Sequence, residues 1–329
     1  MPHDDLAAAA ELLRAADDVT LLAHVNPDAD ALGSALALGM ALRRRGAASR
    51  VSFAWPDEIP ETLRGLDQEG LVVPAGELPA VPRLLVALDT GSLTRLGPLG
   101  ERVRATIAAG GSVLVVDHHA SNTRFGTHHL IDDRAEATAV LVLRLLDEIP
   151  VALDAPIARC LYAGLMMDTS QFRRARPATH HMAARLIEAG VDAEAVAREL
   201  ADCHPFAWFR MLAAVLDRAR LEPDAAGGLG LVHTVVRLSD MDGVGLEEVE
   251  SVVDLLRTTK EAEVAAVLKE TAPGRWSGSL RAVAKVDVCA AATRLGGGGH
   301  RLAAGFTAEG EADEILAALR AALAQPVMI

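Results

Sequence analysis

Short apolar runs alternate with helical stretches in the first half of the chain. There are four such runs: VTLLAH (19–24), VSFAW (51–55), RLLVALD (83–89) and SVLVVD (112–117). Three of the four end in a histidine or an aspartate. The stretch between the first two runs (31–46) has the pattern of a helix, with Gly46 as its C-cap. Strand–helix alternation of this kind predicts a parallel sheet covered by helices on both faces.

The remainder of the chain is predicted to be a helical region followed by a second α/β unit. Helical patterns fill residues 134–220, and a segment rich in glycine, proline and aspartate (222–230) is the best candidate for a domain boundary. Beyond it, β-rich runs and helical patterns predict a smaller α/β domain. We therefore expect an α/β fold with an N-terminal domain, a helical linker and a C-terminal domain, at residues 1–190, 191–225 and 226–329.

Composition and charge narrow the classes of function. Hydrophobic residues make up 51% of the chain, enough to bury a large core. A net charge of −13 opposes binding of long nucleic acid, whereas short nucleotides can be held locally by arginines and backbone amides around a metal. The chain has no apolar run of the ~20 residues that cross a bilayer, no basic N-terminal signal and no clustered cysteines. We expect a cytoplasmic protein with no membrane partner.

A polar segment follows the first apolar run and precedes the first helical stretch. Within HVNPDADALGS it contains His24, Asp28 and Asp30. Pro27 excludes regular strand pairing, so these side chains lie on a turn at a strand end. An aspartate here could simply cap the following helix, but capping requires only one carboxylate. Two carboxylates and an imidazole favour a metal site.

Polar side chains also follow two later strands and one helix. Asp89 ends the third apolar run, where an isolated aspartate would as readily cap a turn. Asp117, His118 and His119 follow each other at the end of the fourth run, where buried polar groups need partners. Asp168 ends an apolar helical pattern and suits either a cation or a cap. Ligands of open parallel sheets lie beyond the carboxyl ends of the strands, which is where we expect these groups to meet.

The candidate ligands supply only imidazole and carboxylate groups. They are His24, Asp28, Asp30, Asp89, His118 and Asp168. This set suits Mn²⁺, Mg²⁺ or a similar ion better than thiolate-bound zinc. Six ligands exceed what one open catalytic ion needs, so two ions that share a carboxylate are the simplest interpretation. Because paired ions about 3.5–4 Å apart polarise a phosphoryl oxygen and generate hydroxide, the set predicts hydrolysis of a phosphate ester.

A run of four glycines near the C-terminus is a second candidate site. Consecutive glycines expose backbone N–H groups and let a ligand approach closely, as phosphate-binding nests require. A flexible loop is the alternative, but the flanking histidine and arginine favour anion binding. Arg281, on a β-rich run, is a further candidate for holding phosphate. The predicted substrate-binding residues are Arg281, Gly297, Gly298, Gly299 and His300.

The chain resembles the DHH–DHHA1 phosphoesterase family. The resemblance is carried by five motifs in a characteristic order between residues 24 and 306: HVNPDADALGS, LLVALDTGS, VVDHHASN, LYAGLMMDTSQF and GGGGHRLAAGF. Within the family, the chain is most similar to the compact nanoRNase/pAp-phosphatase branch. Ala29 and Ser170 stand where glycine is common in the family, and neither change removes a candidate ligand.

The resemblance distributes the metal ligands between two ions, with Asp89 bridging them. It implies that one ion is held by His24, Asp28 and Asp89, and the other by Asp30, Asp89, His118 and Asp168. Mn²⁺ is the typical metal of the family, and Mg²⁺ and Co²⁺ are the alternatives.

The resemblance also implies roles for residues that do not bind metal. His119 would contact the scissile phosphate or assist the leaving group, and Asp117 would orient the histidines. The glycine segment, with His300 and Arg281, would hold the other phosphate of the substrate. The family fold implies a homodimer in which the two domains of each chain face each other across a cleft.

The implied activity is hydrolysis of very short nucleotides. The expected substrates are nanoRNA, linear dinucleotides such as pApA, and 3′-phosphoadenosine 5′-phosphate (pAp). A phosphodiesterase of cyclic dinucleotides (c-di-AMP or c-di-GMP) is an alternative, because its chemistry is identical. A catalytically silent nucleotide sensor is another, although no ligand is missing here. Inorganic pyrophosphatase is disfavoured, because its second domain lacks the glycine segment.

Overall fold

The protein folds into two units, Met1–Cys203 and His204–Ile329. The computed structural model describes residues 3–55 and 58–329. The regular elements of the first unit are, in chain order, α1 (His3–Arg14), β1 (Asp18–Leu22), α2 (Ala29–Arg44), β2 (Ala48–Ser52), β3 (Leu84–Leu88), α3 (Gly100–Ala108), β4 (Ser112–Asp117), β5 (His128–Ile131), α4 (Thr138–Glu148), α5 (Ala155–Asp168), α6 (Pro177–Glu188) and α7 (Ala193–Ala201). Short 3₁₀ helices occupy Glu61–Leu66, Ala75–Glu77 and Leu93–Leu99.

The first unit is built on a five-stranded parallel sheet with the strand order β2-β1-β3-β4-β5. Side chains of β3 alternate between the two faces, as the pleat of a strand requires. Leu84, Val86 and Leu88 pack into one core with α2, α4 and α5, whereas Leu85 and Ala87 pack into another with α3. The predicted parallel sheet with helices on both faces is therefore confirmed.

Two glycines allow α5 to pack closely against α2. A Cβ atom at Gly33 would lie 2.5 Å from the carbonyl oxygen of Cys160, so the two helix backbones meet there without intervening side chains. A Cβ atom at Gly164 would lie 2.5 Å from Oδ1 of Asp30. This packing brings the start of α2 to the last turn of α5, which ends at Asp168.

The second unit contains a six-stranded mixed sheet with the order β10-β11-β9-β8-β7-β6. Only the β7–β8 pair is parallel. One face carries α11 and α12 and the other carries α8 and α10. The elements are α8 (Phe206–Asp217), β6 (Arg220–Glu222), α9 (Ala225–Gly228), β7 (Leu231–Val236), α10 (Leu246–Leu256), β8 (Val264–Ala272), β9 (Arg275–Ala282), α11 (Val288–Arg294), β10 (Gly298–His300), β11 (Ala303–Glu309) and α12 (Ala312–Leu323), with a 3₁₀ helix at Leu238–Asp240. The predicted smaller α/β domain is confirmed.

The units divide at a different place from the segment 222–230. That segment joins β6 to β7, which pair as antiparallel neighbours, so it lies inside the second unit. The helices predicted to form a linker are shared between the units, because each buries an apolar face in a different core. Val196 of α7 is buried in the first unit, whereas Met211 and Val215 of α8 are buried in the second. Within the described residues, no helix is long and apolar enough to cross a membrane.

Candidate metal centre

The candidate ligands of the first unit meet at one edge of its sheet. β1, β3 and β4 are neighbours and run parallel, so their carboxyl ends lie side by side. The loop after β1 supplies His24, β3 is followed at once by Asp89, and the end of β4 leads into His118. The start of α2 and the end of α5 complete the group with the remaining three aspartates.

His24, Asp28 and Asp89 form the first cluster. Nε2 of His24 lies 3.6 Å from Oδ2 of Asp28 and 3.6 Å from Oδ2 of Asp89. Nδ1 of His24 lies 2.8 Å from the carbonyl oxygen of Val25, to which it donates when Nε2 is unprotonated. The ring thus presents Nε2 to the two carboxylates at distances that leave room for an ion between the ligand atoms.

Asp30, His118 and Asp168 form the second cluster. Nε2 of His118 lies 3.1 Å from Oδ2 of Asp168 and 3.5 Å from Oδ1 of Asp89. Its Nδ1 lies 3.2 Å from the carbonyl oxygen of Ala135, which again leaves Nε2 for a ligand role. Asp89 therefore presents Oδ2 to the first cluster and Oδ1 to the second.

The two aspartates of the first polar segment also cap helices. Oδ1 of Asp28 accepts from the amides of Asp30 and Ala31 at the start of α2, at 3.1 and 2.9 Å. The carboxylate of Asp30 accepts from the amides of Thr138 and Ala139 at the start of α4, at 2.6 and 2.9 Å. A carboxylate has about four lone-pair sites, so these bonds are compatible with a metal ligand role. Capping and metal binding are thus not alternatives at these two positions.

The buried aspartate of the Asp117-His118-His119 segment orients the second histidine. Oδ1 of Asp117 lies 2.7 Å from Nδ1 of His119, and Oδ2 accepts from Nδ2 of Asn122 at 2.6 Å. Burial opposes the charge on His119, but the bond to Asp117 and the nearby carboxylates raise its pKa to about 9. The bond from Asp117 to Nδ1 thus fixes the orientation of the His119 ring.

The carboxylates of the centre repel one another in a buried space. Burial, followed by the charges of Asp89 and Asp168, raises the pKa of Asp30 well above its ordinary value. Burial, together with Asp89 and Asp28, does the same for Asp168. Burial opposes the charge of His24, but the adjacent carboxylates of Asp28 and Asp89 raise its pKa to about 10. Carboxylates that hold protons when crowded in this way are suited to bind cations instead.

Two residues of the centre had no signal of their own in the sequence. Oγ1 of Thr138 donates to Oδ1 of Asp89 at 2.9 Å, across 49 positions of chain. Nη2 of Arg95 lies 3.2 Å from Nδ1 of His24. The carbonyl oxygen of Arg95 accepts from the amide of Val25 at 2.8 Å. Asn122 is part of the VVDHHASN motif, so its position beside Asp117 could have been found from the family resemblance.

The glycine segment of the second unit forms an edge strand and a helix end. The amides of Gly296 and Gly297 donate to the carbonyl oxygens of Thr293 and Ala292, and these bonds close α11. Gly297 is therefore not available as an amide donor for an anion, which corrects the expectation that the run forms a continuous nest. The rest of the run enters β10, whose three residues are exposed.

Arg281 and His300 lie in one row across the second sheet. His300 pairs with Ala303, and Ala303 pairs with Arg281, so the three side chains share one face. Adjacent strands are ~4.8 Å apart, which separates Arg281 from His300 by about 10 Å. The next row contains Gly298 and Gly305, so the surface beside the pair is flat. Nε of Arg281 donates to Oδ1 of Asp254 at 3.2 Å, which holds the guanidinium in place.

The two units of the fold correspond to two domains that the sequence matches. Residues 18–165 match the N-terminal domain of the DHH family, and residues 231–325 match the DHHA1 domain. The chain therefore belongs to the DHH family, with a DHHA1 domain in its second unit. This confirms the resemblance expected from the five motifs.

Individual relatives indicate the class of enzyme. The bifunctional oligoribonuclease and PAP phosphatase NrnA of Thermus thermophilus is 32% identical over 305 residues, which cover 92% of this chain and 87% of that protein. The cyclic-di-AMP phosphodiesterase GdpP of Geobacillus thermodenitrificans is 26% identical over 314 residues, which cover 88% of this chain and 44% of that protein. These relatives place the chain among the phosphoesterase hydrolases.

A solved structure shares the fold of the whole chain. The crystal structure of an exopolyphosphatase-related protein from Bacteroides fragilis is similar to this chain with a TM-score of 0.86. The match covers 97% of this chain and 95% of that one, at 21% sequence identity. At this identity the likeness shows the fold and does not indicate a substrate.

Proposed function

We propose that this protein is a metal-dependent phosphoesterase that hydrolyses very short oligonucleotides, including nanoRNA and pApA, and also pAp. The observation that carries the proposal is the position of Asp89, whose two oxygens face two separate ligand clusters. A carboxylate between two such clusters is what a pair of bridged cations requires. The similarity to an oligoribonuclease and PAP phosphatase over most of the chain supports the same substrate class.

The ligand set supports two divalent ions, with Mn²⁺ the expected metal. The clusters offer imidazole and carboxylate groups and no thiolate, which fits Mn²⁺, Mg²⁺ or Co²⁺. Bound ions of this kind polarise a phosphoryl oxygen and lower the pKa of water. The residues proposed to hold them are His24, Asp28 and Asp89 for one ion, and Asp30, Asp89, His118 and Asp168 for the other.

His119 is proposed to act on the leaving group. Its Nδ1 is bound to Asp117, which positions the ring, and the charged ring would pass a proton to the leaving group. The bond to Asp117 raises the pKa of the ring against the effect of burial, which favours its protonated form. An alkoxide released from phosphorus needs a proton, and a positioned imidazolium typically contributes about 10²–10⁴-fold to such a step.

The second unit is proposed to bind the other phosphate of the substrate. Arg281 offers a fixed guanidinium and His300 a histidine on the same face, with only small side chains between them. Binding of a second phosphate by these residues would favour substrates that carry two phosphate groups. The net charge of −13 supports a preference for short substrates, because long RNA gains no attraction from the surface as a whole.

A substrate panel tests the proposal. Product release would be measured with Mn²⁺ for pAp, pApA, pGpG, cyclic dinucleotides and RNA of two to twenty-four nucleotides. We expect turnover of pAp and the linear dinucleotides, with rates that fall steeply as RNA lengthens. Equal rates at all lengths would refute selection by length, and preferred cleavage of cyclic dinucleotides would point to the cyclic phosphodiesterase instead. Nucleotide binding without turnover of any substrate would leave the silent sensor as the function.

The second unit can be tested separately from the metal centre. Arg281→Gln is expected to raise KM for pAp and pApA about tenfold or more, since it removes a charged contact with the phosphate. Arg275, at the other end of the same strand, pairs with Glu309 and gives a matched control, Arg275→Gln. An unchanged KM in Arg281→Gln would contradict the assigned role.

A further inference from the structure

We propose that Arg174 sets the preference of this protein for phosphate monoesters over phosphate diesters. The inference rests on the proposed function, in which one metal centre hydrolyses both kinds of substrate. The phosphate removed from pAp is a monoester, whereas the phosphate that joins the two nucleosides of pApA is a diester. A residue that contacts the reacting phosphate can therefore distinguish the two substrates.

A left-handed turn brings Arg174 back to the end of α5. Ser170, Gln171 and Phe172 have φ values of 53°, 56° and 64°. The amide of Arg174 donates to the carbonyl oxygen of Thr169 at 3.0 Å, which closes the turn. Successive L-residues adopt this region only where the surrounding structure holds them there. The ring of Phe172 packs against the core of the first unit and so anchors the turn.

The side chain of Arg174 lies against Asp168, a ligand of the second cluster. Nη2 of Arg174 donates to the carbonyl oxygen of Asp168 at 3.0 Å. Because a guanidinium has several N–H donors, this bond fixes the group and leaves other donors for a ligand. The side chain is also exposed, so a substrate at the centre can reach it.

The charge of Arg174 acts on the carboxylate of Asp168 as well. Burial, Asp89 and Asp28 raise the pKa of Asp168, whereas the positive charges of His119 and Arg174 oppose that rise. Both cations therefore lie close to the second cluster. His119 is assigned to the leaving group, and Arg174 is available for the oxygens that remain on phosphorus.

The two kinds of phosphate differ in the charge that Arg174 meets. A monoester carries a charge of about −1.5 to −2 at neutral pH and one more terminal oxygen than a diester, whose charge is about −1. Arginine binds phosphate oxygens through charge-assisted hydrogen bonds, which strengthen with the charge of the acceptor. A guanidinium beside Asp168 therefore favours hydrolysis of a monoester more than that of a diester.

The ratio of kcat/KM for pAp to kcat/KM for pApA tests the role of Arg174. With Mn²⁺, Arg174→Gln is expected to lower this ratio about tenfold, mainly because pAp is turned over more slowly. Arg174→Lys keeps the charge but loses the paired donors, so its ratio should lie within about threefold of the wild-type ratio. Arg198→Gln is the matched control, because Arg198 forms an exposed pair with Glu194 on α7. A ratio that is unchanged in Arg174→Gln, or that falls equally in Arg198→Gln, would overturn the inference.

Binding of inorganic phosphate gives a measurement that does not depend on turnover. Because phosphate carries the charge of a monoester, isothermal titration calorimetry of the Mn²⁺-loaded protein should show about tenfold weaker binding in Arg174→Gln. The affinity for Mn²⁺ should not fall, because the substitution removes a positive charge from beside Asp168. Unchanged phosphate affinity, or a loss of Mn²⁺ affinity, would overturn the role of Arg174. A wild type that turns over neither pAp nor pApA would overturn the proposed function itself.

Discussion

At the scale of single residues, Asp89 is the position on which the candidate centre depends. It lies directly after β3 with a φ of 54°, in the left-handed region that costs a non-glycine residue about 1–2 kcal/mol. Strained backbone of this kind is found where a side chain must be aimed at a functional site. Here it directs one carboxylate oxygen to each ligand cluster, while Thr138 donates to one of them.

A second stretch of backbone in the left-handed region follows Asp168, and a glycine substitution should relieve its strain. Ser170, Gln171 and Phe172 have φ values of 53°, 56° and 64°. We expect Ser170→Gly to raise the free energy of unfolding by about 0.5–1 kcal/mol, because glycine adopts this region freely but is more flexible when unfolded. Urea denaturation would measure it. Ser277→Gly, in the middle of β9, is the control and should be destabilising; a loss of stability in Ser170→Gly would contradict the assigned strain.

Asp117 should control the protonation of His119. If protonated His119 assists the leaving group, the rate falls as the pH rises through the pKa of His119. Asp117→Asn removes a charge that raises this pKa, so the falling limb of the log kcat profile should move to lower pH, and kcat should fall about 10²-fold or more.

The control for this profile is Asp132→Asn. Asp132 is also buried, but it pairs with Arg144 and Arg134 and does not contact the histidines. Asp132→Asn should leave the falling limb of the log kcat profile at the same pH as in the wild type. If the falling limb of the log kcat profile did not move in Asp117→Asn, or moved equally in both variants, the role assigned to His119 would be wrong.

At the scale of elements, three helix ends hold the ligands at the edge of the sheet. Asp28 caps α2, Asp30 caps α4, and Asp168 ends α5. The positive ends of the α2 and α4 dipoles favour the charged form of the two capping carboxylates, and at Asp30 they act against the burial and the neighbouring charges that raise its pKa. Close packing of α2 on α5 then sets the distance between Asp30 and Asp168.

Gly164 is the position where this packing can be tested. A Cβ atom there would lie 2.5 Å from Oδ1 of Asp30, so Gly164→Ala should displace the carboxylate and weaken Mn²⁺ binding about 10–100-fold. Isothermal titration calorimetry would measure the affinity. Gly76→Ala is the control, because a Cβ atom at Gly76 meets open space. Equal affinities in the two variants would show that Asp30 does not depend on this contact.

The apolar pattern of the sequence predicted the buried strands of the first unit. It did not predict structure that depends on contacts between residues far apart in the chain. The strands that end at Asp89 and Asp117 were found because a buried parallel strand is a continuous apolar run. The hairpin of β10 and β11 was not found, because four glycines have no strand propensity and pair only against β11. Thr138 was missed for a related reason, since its contact with Asp89 spans 49 positions and leaves no local pattern.

At the scale of the whole molecule, the candidate metal centre lies in the first unit and the candidate phosphate-binding residues lie in the second. The first unit presents its ligands from strand and helix ends that are largely buried, which is how a site keeps its geometry. The second unit presents Arg281 and His300 in one row of its sheet, where His300 is exposed and Arg281 pairs with Asp254 of α10. In the proposed function, the first unit would carry out the chemistry and the second would select the substrate.

We propose that Asp89 is shared by two ions and that hydrolysis of short nucleotides depends on them. The most direct test is the rate of phosphate release from pAp, measured against Mn²⁺ concentration for the wild type and Asp89→Asn. We expect turnover that requires Mn²⁺ in the wild type and falls at least about 10³-fold in Asp89→Asn, since one substitution removes a ligand from both ions. Full activity in the presence of a chelator, or in Asp89→Asn, would contradict it.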